Sequence, residues 1–107
     1  MTILQEVLLE EYYRILRTEY LIQEELQKYP KGYISKKKIK GREYFYLQHR
    51  EGNRIVSKYI PEAQLQDYQT KIQNRKRREE DFSELQKSKE TIIRALGKEF
   101  INEYTTD

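Results

Sequence analysis

The sequence predicts an α+β fold: a long N-terminal helix, a three-stranded antiparallel β-meander and a long C-terminal helical region, with the helices paired as an antiparallel hairpin. Three observations predict it. Apolar residues recur in four- and three-residue steps towards both ends of the chain, which is the period of an amphipathic helix. Between them, residues 31–60 hold three short runs rich in Tyr, Phe, Ile and Val that alternate with polar residues. Those runs are separated by Lys40-Gly41 and Glu51-Gly52, short glycine-containing turns of the kind that join antiparallel strands.

The first helix spans residues 2–29. Leu8, Tyr12, Ile15, Ile22, Leu26 and Tyr29 form a seam of coiled-coil type, with Glu19 in its one polar slot. Leu4, Leu9, Tyr13 and Leu16 widen the apolar face near the N-terminus, and a face that wide needs more than one neighbour to cover it. Thr2 is a candidate N-cap. Pro30 ends the helix because it forces Tyr29 out of the α region.

In the meander, alternation assigns the faces. Phe45 and Leu47 share one face of the middle strand with Glu43 and His49, while Tyr44 and Tyr46 share the other with Gln48 and Arg50. Phe45 and Leu47 are expected to face the helices. A slip of one residue in register would invert the assignment.

Residues 61–104 form the helical region. Pro61 suits a first helical position and Glu62 a first turn. Leu65, Tyr68 and Ile72 form one stripe, and Phe82, Leu85, Ile92, Leu96 and Phe100 form another. The intervening residues 74–81 (NRKRREED) contain no apolar side chain, so the helix is either continuous or broken there. Asp81 and Ser83 are the candidate caps if it breaks, and Gly97 is a further point where it could end.

At 107 residues the chain is expected to form a single domain, 1–107, with a small core. Hydrophobic and charged residues each make up 36%, close to the border with disorder, but ten tyrosines and clear periodicity place the chain on the folded side. No apolar run approaches the ~18 residues of a membrane span. The apolar patch at the N-terminus has no basic segment before it, so no secretory signal is expected and a cytoplasmic location is the default. There is no cysteine, and His49 is the only histidine. Nothing resembles a nucleophile elbow, a metal-ligand cluster or a phosphate loop, so neither an enzyme, a metal centre nor a cofactor is expected.

Charge is distributed unevenly. Residues 31–60 carry nine Lys and Arg against two acids, while the whole chain has a net charge of only +3. Lys/Arg neutralisation of phosphates is the main source of nucleic-acid affinity, a sheet can enter a major groove, and exposed tyrosines can stack on unpaired bases. The candidate contacts are Lys36, Lys37, Lys38, Lys40, Arg42, Tyr44, Tyr46, Arg50, Arg54 and Lys58, and Tyr44, Tyr46 and Tyr59 are stacking surface or core, depending on register. The plainer reading is that edge lysines guard the strands against aggregation and the tyrosines are core. A second basic stripe, Lys71, Arg75 and Arg78, lies at helical spacing. The acids beyond it also fit an ordinary solvated helix.

Two resemblances bear on residues 30–75. Pro30-Lys31-Gly32, a Tyr-rich hairpin, Arg50-Glu51-Gly52 and a Pro-started helix together resemble a group of short bacterial and phage proteins. More loosely, strand–strand–strand–helix with alternating cations and aromatics is similar to the arm-type DNA-binding domains of tyrosine recombinases. That likeness implies a sheet laid in the major groove through Lys36, Lys38, Tyr44, Tyr46, Arg54 and Lys58. The long preceding helix and the lack of a recombinase catalytic domain depart from that pattern.

The function these features point to is a small, non-enzymatic bacterial or phage nucleic-acid-binding protein, for DNA or RNA, whose helices either dimerise or hold the sheet. The alternatives are a protein-interaction module, such as a phage-encoded inhibitor of a host CRISPR nuclease, and a self-assembling coiled-coil protein.

Overall fold

The computed structural model describes residues 1–105. Its elements are α1 (Ile3–Leu26), β1 (Tyr33–Ile39), β2 (Arg42–Glu51), β3 (Arg54–Ile60), α2 (Glu62–Leu96) and α3 (Lys98–Thr105). They fall into two compact units: Met1–Leu26 with the chain from Arg78 onward, and Gln27–Arg77. None of the described helices is long and apolar enough to cross a membrane.

The first unit is helical. Thr2 and Gln5 cap α1 reciprocally: the Gln5 amide donates to Thr2 Oγ1 at 3.1 Å, and the Thr2 amide donates to Gln5 Oε1 at 2.8 Å. This is a capping box, which satisfies two amide donors the helix cannot pair internally. Ile15 and Ile22 of α1 are buried, as are Ile92 of α2 and Ile101 of α3. The contacts run in opposite chain directions, with Glu19 meeting Gln86 and Lys89 and Glu25 meeting Arg78. The two helices are therefore antiparallel, as the seam predicts.

Glu19 is the polar position in that seam. Gln86 Nε2 donates to its Oε2 at 2.9 Å, and Lys89 Nζ donates to the same oxygen at 3.4 Å. The buried Oε1 receives no hydrogen bond, but the Lys89 ammonium lies 3.2 Å from it as an ion contact. Both side chains are largely covered, at 13% exposure for Glu19 and 23% for Lys89. A charge this far from water is tolerated only because its opposite is beside it.

The second unit is the meander with its adjoining chain. α1 stops at Leu26, three residues before the limit expected from Pro30, and residues 27–29 form a turn. Arg75 Nη1 donates to the Tyr29 carbonyl at 3.2 Å, giving that oxygen a partner outside the helix. The strands pair antiparallel in the order β1-β2-β3. Ile34 lies opposite Leu47, and Phe45 lies opposite both Lys36 and Ile60. Leu47 and Ile60 are buried, so the Phe45 and Leu47 face is the one packed against the rest of the unit. The first half of α2 lies on this side, with Lys58 Nζ 5.9 Å from the centre of the Tyr68 ring and Ile34 and Ile72 lining one groove.

Backbone geometry fixes the register. Lys40 and Gly41 have φ of 49° and 81°, the pair of left-handed residues that a type I′ hairpin needs. Gly32 is a different case. A Cβ built on it would lie 2.1 Å from the Gln48 carbonyl oxygen, because the chain entering β1 passes directly over β2.

α2 is one continuous helix of 35 residues, so it does not break at residues 74–81. That segment contains neither glycine nor proline, and Arg78 pairs with Asp81 one turn away at 2.6 Å. The interruption comes at Gly97, whose φ of 90° ends α2 while its amide still bonds to the Ile93 carbonyl at 2.8 Å.

Gly32→Ala should lower stability by about 2–3 kcal/mol in urea unfolding, because a backbone clash is added to a left-handed φ. Gly41→Ala, with open space around its Cβ, should cost only about 1 kcal/mol from φ alone. In the helical unit, Glu19→Ala should cost roughly 1–3 kcal/mol by stranding the Lys89 ammonium. Replacing Glu19 and Lys89 together by leucine should be neutral or stabilising in the same measurement.

Candidate nucleic-acid interface

Cross-strand pairing sorts the candidate residues onto opposite faces of the sheet. Lys37 of β1 lies opposite Tyr44, and Ser35 lies opposite Tyr46. Tyr46 in turn lies opposite Tyr59, and Arg50 lies opposite Ile55. Ile39 and Arg42 close this face at the first hairpin. Strand residues on it are aromatic, aliphatic, neutral polar or cationic, and none is acidic.

The tyrosines form a cluster centred on Tyr59. Its ring packs edge-on against Tyr46 at 5.8 Å between centroids and tilted against Tyr44 at 6.4 Å. Tyr59 is half exposed, and Tyr44 and Tyr46 are half buried. Aromatic rings prefer such tilted and edge-to-face arrangements, which hold the cluster rigid while leaving part of each ring open. Lys37 Nζ sits 5.0 Å from the centre of the Tyr46 ring, a cation–π contact. Gln48 Nε2 donates to Ser57 Oγ at 2.9 Å, bridging β2 and β3 beside the cluster.

The other face holds Lys36, Lys38, Arg54 and Lys58. Lys36 is 3.4 Å from the Glu43 carboxylate, and Lys58 lies over Tyr68. His49 is also on this side, with Nε2 3.0 Å from Glu51 Oε1. Lys40 belongs to neither face, because it occupies the hairpin turn. The structure therefore brings Lys37, Arg42, Tyr44, Tyr46 and Arg50 together and separates them from Lys36, Lys38, Arg54 and Lys58.

A groove of about 280 Å³ wraps the end of the strands where β2 begins and β3 ends, lined by Arg42, Tyr44, Tyr59 and the start of α2. Glu43 and Glu62 also line it, so Arg42 there has carboxylates nearby, unlike Lys37 and Arg50 further along the face.

The second basic stripe is occupied within the chain. Lys71 lies 2.9 Å from Asp67, and that hydrogen bond raises the ammonium above its ordinary pKa. Arg75 holds the Tyr29 carbonyl. Arg78 is 2.6 Å from both Asp81 and Glu25, and the Asp81 hydrogen bond, followed by the Glu25 charge, raises its pKa. These cations serve helix and turn contacts. Among the described residues, no group of three or more His, Cys, Asp or Glu is placed to hold a metal ion.

Tyr59 is the hub of the cluster, although alternation alone leaves it, like Tyr44 and Tyr46, open between surface and core. Its parity with Tyr46 became definite only with the β2–β3 register. The Gln48–Ser57 bridge had the same parity signal, because Gln48 alternates with Tyr46 in β2.

A family model described as Domain of unknown function (DUF6788) matches residues 3–70. The chain belongs to this family. The DUF6788 match takes in α1, all three strands and the start of α2, so the aromatic face lies wholly inside it. No curated protein and no solved structure matches the chain.

Proposed function

We propose that this DUF6788 protein is a non-enzymatic nucleic-acid-binding protein, and that its ligand is a strand with unpaired bases held on the open face of the sheet. One observation carries the reading: the Tyr44, Tyr46 and Tyr59 cluster shares its strand face with Lys37, Arg42 and Arg50 and with no acidic strand residue. Base stacking on aromatic side chains tolerates any sequence, because every base has a π face. The cations would take the phosphates. Lys37, held over the Tyr46 ring, would exchange that cation–π contact for a phosphate as a base took its place.

The alternation of the strands favours an unpaired strand over a duplex. Tyrosines at successive same-side positions present ring surface, while the longer cations sit around them at Lys37, Arg42 and Arg50. Insertion in a duplex major groove would instead rely on side chains that reach base edges. Lys36, Lys38, Arg54 and Lys58 would add only general positive potential from the opposite face.

The test is fluorescence anisotropy with labelled single-stranded DNA, single-stranded RNA and duplex DNA at two salt concentrations. Single strands should bind more tightly than the duplex. The Lys37→Gln/Arg42→Gln/Arg50→Gln variant should reduce the slope of log affinity against log salt by about 2, at roughly 0.7 for each phosphate no longer neutralised. Tyr59→Ala should weaken binding by about 1–3 kcal/mol, the range for one base stack. The Lys36→Gln/Lys38→Gln variant should change affinity much less. Equal effects from the two cation sets, or unchanged binding when Tyr59 is removed, would sink the assignment to this face.

A further inference from the structure

The helical unit leaves a second apolar stripe on α1 only partly covered, with Leu9 and Leu16 half-buried and Tyr13 and Tyr20 exposed. Leu9, Tyr13, Leu16 and Tyr20 follow one another at steps of four, three and four, beside the seam that contains Ile15 and Ile22. Tyr20 is 63% exposed and Tyr13 38%, and shallow grooves lined by Leu16, Arg17, Tyr20 and Leu21 and by Glu10, Tyr13, Leu16 and Arg17 run along this face. The Tyr13 hydroxyl donates to the Tyr104 carbonyl at 2.7 Å, which fixes the ring in place.

The charges beside the stripe indicate what would cover it. Glu10 and Arg17 are seven residues apart on one flank, and neither has an ion-pair partner among the described residues. If a second α1 packs antiparallel, layers form between Leu9 and the partner's Tyr20 and between Tyr13 and the partner's Leu16. The same register brings Glu10 against the partner's Arg17 and, by two-fold symmetry, Arg17 against the partner's Glu10. It also sets Glu6 beside the partner's Gln23, so both ends of the seam close on a polar pair that can hydrogen-bond. A parallel arrangement would set Glu10 beside the partner's Gln5 and Arg17 beside the partner's Tyr12, and lose the crossed attraction.

We propose that this stripe is the interface with a second copy of the chain, an antiparallel α1–α1 pairing about a two-fold axis between Tyr13 and Leu16. The seam has only four apolar layers, about 16 Å of helix, so the dimer is weak and forms at high protein concentration. This interface is independent of what the sheet binds.

Sedimentation equilibrium of the full chain, from low micromolar to millimolar concentration, tests it. The weight-average mass should rise from 13.2 kDa towards twice that value. Glu10→Arg alone and Arg17→Glu alone should each weaken association at least tenfold, because each puts two like-charged pairs across the axis. An equimolar mixture of the two variants should recover association, since opposite charges then meet at both crossings. Both substitutions are on the solvent side of α1, and circular dichroism should show unchanged helicity. A chain that stays monomeric throughout would overturn the proposal and leave the stripe to a foreign helix. So would a dimer indifferent to both substitutions, or a mixture no tighter than the separate variants.

Discussion

Scarcity of apolar side chains is the constraint behind this structure. Among the described residues only Ile15, Ile22, Leu47, Ile60, Ile92 and Ile101 are buried hydrophobics. Four of them serve the helical unit and two serve the sheet unit. A core this small in a chain of 107 residues leaves little margin, and directional interactions do the rest. The Glu19–Lys89–Gln86 cluster specifies which way α1 and α2 align, because any shift would leave a largely buried charge unpaired. The capping box at Thr2, the type I′ turn at Lys40-Gly41 and the close approach at Gly32 play the same part for the backbone. The same scarcity leaves exposed aromatic surface on the sheet at Tyr59 and on α1 at Tyr13 and Tyr20, and the two functional proposals rest on those surfaces.

The sheet unit divides its chemistry by parity. Period-two alternation sends every second residue to the opposite side, and the meander places its apolar residues on the side of Leu47 and Ile60. The tyrosine cluster is thereby left on the open side. Cations occur on both sides, but their surroundings differ. Lys36 has Glu43 beside it and Lys58 has Tyr68 beneath it, whereas Lys37, Arg42 and Arg50 share their strand face with no acidic strand residue. The local excess of positive charge along residues 31–60 is therefore two populations, and only one of them coincides with the aromatic surface.

Much of the fold was legible in the sequence. Strand boundaries followed from the glycine turns, and the seam residues Ile15 and Ile22 are buried where their spacing placed them. The polar slot at Glu19 was visible, but its partners were not, since Gln86 and Lys89 lie some seventy residues away and nothing local links them. For the candidate site, the residue types were legible and their grouping was not. Lys36, Lys37 and Lys38 are adjacent in sequence and identical in character, yet Lys37 stands on the open side and its two neighbours on the other. The stripe of Lys71, Arg75 and Arg78 was likewise visible as charge, but its engagement with Asp67, the Tyr29 carbonyl, Glu25 and Asp81 was not.

The sequence by itself determined the order of helix, meander and helix, the places where the strands turn and the excess of positive charge along residues 31–60. These follow from the local rules of periodicity, turn chemistry and composition. Tertiary structure alone decided three other matters. It carried α2 unbroken through residues 74–81 and ended it at Gly97, because side-chain pairing sustains a polar helix and a left-handed backbone does not. It made Tyr59 the hub of the aromatic cluster, because only cross-strand register brings it against Tyr44 and Tyr46. It also left the Leu9–Tyr13–Leu16–Tyr20 stripe only partly covered, because burial depends on what packs against a face, and α1 turns its other seam to α2.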